Sequence, residues 1–73
     1  MREIDFHGMT VEEADHQLEL LIGEIRMEED SEDVRLITGI GKIMNSFLKR
    51  LEEEELDHHV ELGNSGVIIV TVE

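Results

Sequence analysis

Seventy-three residues with no cysteine and no proline allow one domain and one modest core, unsupported by disulfides or thiolate metal sites. Nineteen acidic residues against six basic ones give a formal net charge of -13, which repels phosphate backbones at long range and counts against a general nucleic-acid binder. The longest apolar run, 67–70, is far short of the ~20 residues of a membrane span, and no apolar leader follows Met1-Arg2-Glu3, so the sequence predicts a cytoplasmic chain without membrane contact.

In chain order, Glu3-Ile4-Asp5-Phe6-His7 alternates polar and apolar residues and predicts a strand ended by Gly8, with Asp5 and His7 leaving one face and Ile4 and Phe6 the other. Thr10 followed by Glu13 forms a capping box, and Met9 with Ala14 occupies the positions of a hydrophobic staple, so a helix begins at Val11. Val11, Ala14, Leu18, Leu21, Ile22 and Ile25 recur at helical spacing and give it one apolar stripe. The acidic stretch 27–33 ends it, and Val34-Arg35-Leu36-Ile37 predicts a second strand. Gly39 and Gly41 make a turn into a second amphipathic helix over 42–55, carried by Ile43, Met44, Phe47, Leu48 and Leu51, with 52–55 as a solvated end. Alternation over 57–62 predicts a third strand with His58 and His59 on opposite faces. Gly63-Asn64-Ser65-Gly66 is a turn, and 67–72 is a β-branched fourth strand.

This order, β-α-β-α-β-β, predicts an α/β fold: a single two-layer domain with a four-stranded mixed sheet and two helices. The last two strands form a hairpin, and one apolar stripe on each helix favours both helices on one face. In such a unit the two strand-to-helix junctions, Asp5-Phe6-His7-Gly8 and Thr38-Gly39-Ile40-Gly41, lie side by side at one sheet edge. That edge is the part of the sequence suited to chemistry. Asp5 and His7 supply a carboxylate and an imidazole suited to general acid or base work, the carboxylate able to orient the ring. Gly39 and Gly41 clear space for a phosphate, two helix N-termini offer N–H groups, and Lys42 adds a cation. Set against this, Asp5 and His7 can simply pin a turn, and the glycines can simply permit one.

Asp5-Phe6-His7-Gly8-Met9-Thr10 before a helix, Thr38-Gly39-Ile40-Gly41 opening a second, and the Gly63 to Gly66 turn together resemble the small MutS-related (Smr) domain, from Ile4 to the last residue. Ile4 and Phe6 stand where that family typically has leucines, and the second motif has its threonine form. The resemblance implies a fold similar to the C-terminal domain of bacterial translation initiation factor 3. It also implies DNA or RNA endonuclease activity on phosphodiester bonds, with Asp5 and His7 catalytic and Gly8, Thr38, Gly39, Gly41 and Lys42 binding phosphate. Branched, nicked or single-stranded nucleic acid is then the expected partner. Family members usually end a larger protein and sometimes stand alone, and the short lead before Asp5 reads as a stand-alone or excised copy. The strong acidity departs from the basic surroundings frequent around family nuclease sites.

No dedicated metal site or cofactor is expected, because His16 and the divergent His58 and His59 cannot share an ion; a divalent cation between Asp5 and a phosphate is left open. Met9, Met27 and Met44 read as packing residues. Ten carboxylates, Glu12, Glu13, Asp15, Glu19, Glu24, Glu28, Glu29, Asp30, Glu32 and Asp33, crowd the first helix and its exit. They motivate the alternative of a non-catalytic acidic module that binds a basic protein partner. Self-association along an edge strand is the third reading.

Overall fold

The computed structural model describes residues 1–28 and 30–73, so Glu29 of the acidic helix exit lies outside the described residues. The elements follow the expected order: β1 (Arg2–Asp5), α1 (Val11–Met27), β2 (Glu32–Ile37), α2 (Lys42–Glu53), β3 (Asp57–Val60) and β4 (Val67–Val72). They build one four-stranded sheet in the order β1-β2-β4-β3. β1 runs parallel to β2, while β4 is antiparallel to both β2 and β3. The two crossovers, β1 to β2 and β2 to β3, step across the sheet in the same direction. Right-handed connections that advance the same way place their helices on the same face. α1 and α2 accordingly pack on each other, with α1 also against β4 and α2 against β3.

α1 starts where its capping box demands. The Glu13 N–H donates to Thr10 Oγ1 at 3.1 Å, and the Thr10 N–H donates to Glu13 Oε1 at 3.0 Å. Of its apolar stripe, Ala14, Leu18, Leu21, Ile22 and Ile25 are buried, whereas Val11 is only half-buried. Met27 differs more from expectation. It is 85% exposed and packs nothing, because position 27 falls off the core-facing line; Met44 is buried and Met9 leans on the core.

Element ends shift for identifiable reasons. β1 stops at Asp5 because a turn takes over at His7, although the Phe6 N–H still donates to Ile37 O at 2.9 Å. β2 begins two residues earlier than β-branching suggests, since Glu32 and Asp33 pair with Val72 and Thr71 and the Thr71 hydroxyl donates to Asp33 Oδ1 at 2.7 Å. α2 ends at Glu53 rather than 55. Glu55 takes a left-handed φ of 57°, the Leu56 N–H donates to Leu51 O and the Glu55 N–H to Glu52 O, which is a Schellman ending. β3 ends at Val60, beyond which the Glu61 N–H donates to Val67 O and Leu62 is fully exposed.

Phe6, Val34, Leu36, Ile68, Val70 and Val72 supply the sheet side of the core beneath the helices. Phe6 and Phe47 meet edge to face, with ring centroids 4.9 Å apart at 89°. Among the described residues, no helix covers the opposite face. There Glu3, Arg35, Ile69 and His59 form one row across all four strands. Arg35 bonds Glu3 on one side and donates from Nη2 to Glu61 Oε2 at 2.7 Å on the other, so it links the two edges of the sheet. The Arg35 hydrogen bond holds the half-buried Glu61 carboxyl below its ordinary value of 4.5.

Two outcomes follow. Phe47→Ala should remove about 3–5 kcal/mol of stability, much of what so small a domain has, as read by urea denaturation. Because Glu61 has a lowered folded pKa, its stabilising effect is complete above the ordinary glutamate range and fades as pH falls below about 4.5. Glu61→Gln should therefore flatten the acid limb of a plot of melting temperature against pH while leaving its neutral shape unchanged.

Candidate functional site

The first motif is a strand end that becomes a turn. The Met9 N–H donates to Phe6 O at 3.1 Å, closing a four-residue turn whose third position is Gly8 with φ 82°. His7 is the second residue of that turn and is exposed. Asp5 Oδ1 accepts the main-chain N–H of His7 at 2.9 Å. This Asx-type bond fixes the path of the chain between strand and turn. It spends one carboxylate oxygen on backbone rather than on the imidazole. Phe6, between the two polar residues, points the other way and is fully buried, which anchors the motif to the core.

The second motif is held by a residue that the spacing did not single out. Gly66 O accepts the N–H groups of both Thr38, at 3.0 Å, and Gly39, at 2.9 Å. Thr38 Oγ1 lies 2.8 Å from Gly39 O and 3.2 Å from Gly66 O, with one proton to donate between them. A Cβ on Gly66 would stand 3.2 Å from Gly39 Cα, a tight contact that would require the Gly39 backbone to give by a few tenths of an ångström. Sequence reading placed Gly66 in a hairpin turn; the signal that it also braces Thr38 and Gly39 is tertiary.

The two helix N-termini differ in electrostatics. α1 is capped by Thr10, and its first turn carries Glu12 and Glu13. The Thr10 N–H, then its hydroxyl, hold the Glu13 carboxyl below its ordinary value, so the positive end of this helix is already answered by charge. α2 has no side-chain cap, because its cap residue is Gly41, and no acidic residue stands in its first turn. Gly41 has φ 143° and ψ -143°, a backbone that residues with a Cβ rarely adopt. The first-turn N–H groups of Lys42, Ile43 and Met44 have no intrahelical acceptor, and Lys42 is exposed beside them.

Two adjoining hollows result. One, of about 280 Å³, is lined by Asp5, His7, Ile37, Thr38 and Gly39. The other, of about 460 Å³, is lined by Met9, Thr10, Val11, Thr38, Ile40, Gly41, Lys42 and Ile43. Thr38 borders both. The fold thus brings Asp5, His7, Thr38, Gly39, Gly41 and Lys42 together at one end of the sheet, where β1 and β2 terminate, with Gly8 in the adjoining turn. His16 is exposed on α1, and His58 and His59 face opposite sides of the sheet, the His58 Nδ1 lying 2.7 Å from Leu56 O. Among the described residues, no cluster of three or more His, Asp or Glu side chains is arranged to hold a metal ion.

The family model of the Smr domain matches residues 4–73. The chain belongs to the Smr domain family. Its fold is similar to that in the crystal structure of the Smr domain of Thermus thermophilus MutS2, with a TM-score of 0.84, 24% identity, and coverage of 100% of this chain and 99% of that one. No curated protein matches the chain. The Smr family is associated with nucleic-acid binding and nicking, and among the described residues no helix is long and apolar enough to cross a membrane.

Gly66→Ala should push Gly39 outward, cost roughly 1–3 kcal/mol as an overpacked contact, and move the amide NMR signals of Thr38 and Gly39. Thermal melts and a single amide spectrum check both effects.

Proposed function

We propose that this Smr domain binds and processes nucleic acid as an endonuclease acting on phosphodiester bonds at the shared edge of its two motifs. The observation that carries the reading is the border formed by Thr38: on one side stands His7, a proton-transfer group, and on the other the uncapped, non-acidic start of α2. An anion is favoured at the second and proton transfer at the first, which is the division of labour a phosphodiester needs.

In this arrangement a phosphate sits at the α2 N-terminus, where the Lys42, Ile43 and Met44 N–H groups and the Lys42 ammonium meet its charge. Gly41 lets the phosphate approach the backbone. Gly8 and Gly39 act by shaping the turns that present His7 and Thr38. His7 takes the proton of the attacking water or ribose hydroxyl as the new P–O bond forms; the old one breaks, and its oxygen leaves with a proton from solvent or the same ring. Asp5 holds the His7 turn in place through its bond to the His7 main-chain N–H. The acidic body opposes approach at long range, so binding depends on these few contacts.

The test is an amide-shift titration with short single-stranded RNA and with nicked DNA at low salt, run alongside assays for cleaved product. Shifts should centre on Gly8, on 38–42 and on the first turn of α2. His7→Ala should retain binding and lose product, whereas full cleavage by this variant would overturn the catalytic assignment. Lys42→Ala should weaken binding to all sequences and lower the salt slope by about one phosphate contact. Asp5→Asn keeps the turn bond but not the charge; unchanged cleavage would restrict Asp5 to shaping the chain.

A further inference from the structure

α1 has a second apolar line that its core stripe does not explain. Leu20 is 54% exposed and Met27 is 85% exposed. Gly23 lies between them, and spacings of three and four put the three residues on one side of the helix. Apart from its own helix backbone, no atom of the described residues lies within 4 Å of the place a Gly23 Cβ would occupy, so the glycine relieves no crowding against the rest of the fold. A glycine inside a helix costs about 1 kcal/mol against alanine. Its effect here is to leave a notch between Leu20 and Met27, part of a shallow, open groove along the outer face of α1 lined by Glu19, Leu20, Gly23, Glu24, Met27 and Glu28.

Three carboxylates rim that groove, each in a long, exposed ion pair. Arg2 stands 3.8 Å from Glu24 and 4.0 Å from Glu28, and Arg50 stands 3.9 Å from Glu19. Exposed pairs at such distances hold little energy and leave the carboxylates open to other partners. We propose that this groove docks a basic amphipathic helix of another protein, its apolar side chains seated in the Leu20–Gly23–Met27 notch and its Lys or Arg residues on Glu19, Glu24 and Glu28.

The charge selects this occupant over others. Nucleic acid and anionic lipid are repelled by three carboxylates on a body of net charge -13. A second copy would set the same carboxylates against one another across a two-fold contact. An apolar notch with a methionine at its end suits helix-in-groove recognition, in which a helix lays one face into a hydrophobic trough. Leu20 and Met27 lie roughly 14 and 24 Å along α1 from Val11, so the groove works independently of the proposed phosphodiester site.

The experiment uses a labelled amphipathic Leu/Lys peptide of about 18 residues, long enough to be helical, with fluorescence anisotropy at about 0.15 M salt. A Ser/Lys peptide of equal charge is the control. The Leu/Lys peptide should bind saturably at one site and move the amide signals of Leu20, Gly23 and Met27. The Leu20→Ser/Met27→Ser variant should bind it at least about tenfold more weakly, with the control peptide unaffected by the change. Gly23→Gln should raise the melting temperature, by helix propensity, and still weaken binding by a similar factor because it fills the notch. Equal binding by wild type and all variants would reduce the effect to diffuse charge attraction and overturn the proposal. Absence of saturable binding would do so too, as would a wild-type dimer in sedimentation that Leu20→Ser/Met27→Ser dissolves.

Discussion

The edge-to-face contact of Phe6 with Phe47 is the constraint on which the rest of this domain depends. These are the only aromatic residues in the chain, and each belongs to an element that feeds the site. Phe6 is the buried residue inside the first motif. Phe47 lies on α2, the helix that the second motif opens. Burying the pair ties the Asp5–His7 turn to α2 through the core, across a sequence separation that local structure cannot bridge. In a chain with so little apolar bulk, the residues that stabilise the fold are also those that bring its two motifs together.

Charge is distributed by the same logic. α1 satisfies its own N-terminus with Thr10 and Glu13 and then carries carboxylates along its exposed side, which leaves it unsuited to an anion. α2 begins with a glycine and a lysine and keeps its first N–H groups open. An acidic protein can therefore present one small positive locus without a basic patch, because helix-end dipoles act over the first turn while net charge acts at longer range. On the uncovered sheet face Arg35 answers Glu3 and Glu61 together, so the one basic side chain of β2 stabilises the sheet rather than the site.

Much of the architecture was legible because it rests on local rules. The capping box at Thr10 and Glu13, the apolar stripe of α1, the alternation around Asp5 and the β-branched run of β4 each report a period or a hydrogen bond made within a few residues. What local rules misplaced were element ends. Glu32 and Asp33 joined β2 through pairing with β4, and Glu55 left α2 through a left-handed cap without glycine; Met27, read as a packing residue, instead turned to solvent on the side of α1 away from its stripe. Of the site, the residues of both motifs were visible as unusual types at strand-to-helix junctions. The use of Asp5 Oδ1 on the His7 main chain, and of Gly66 O on Thr38 and Gly39, was not visible, since both depend on where a carbonyl or N–H ends up rather than on residue type.

The sequence by itself determined the element order, the apolar face of each helix, the capped start of α1 and the pair of motifs that mark the Smr family. Periodicity and short-range hydrogen bonding suffice for these. Only the tertiary structure decided that both crossovers advance the same way and so put both helices on one face. It alone also set the Gly66 turn so close to Gly39 that an added side chain would crowd the backbone, made Thr38 the border of two hollows, and left Leu20 and Met27 uncovered. Those features depend on chain segments far apart in sequence competing for the same space, and packing resolves that competition only when the whole chain is folded.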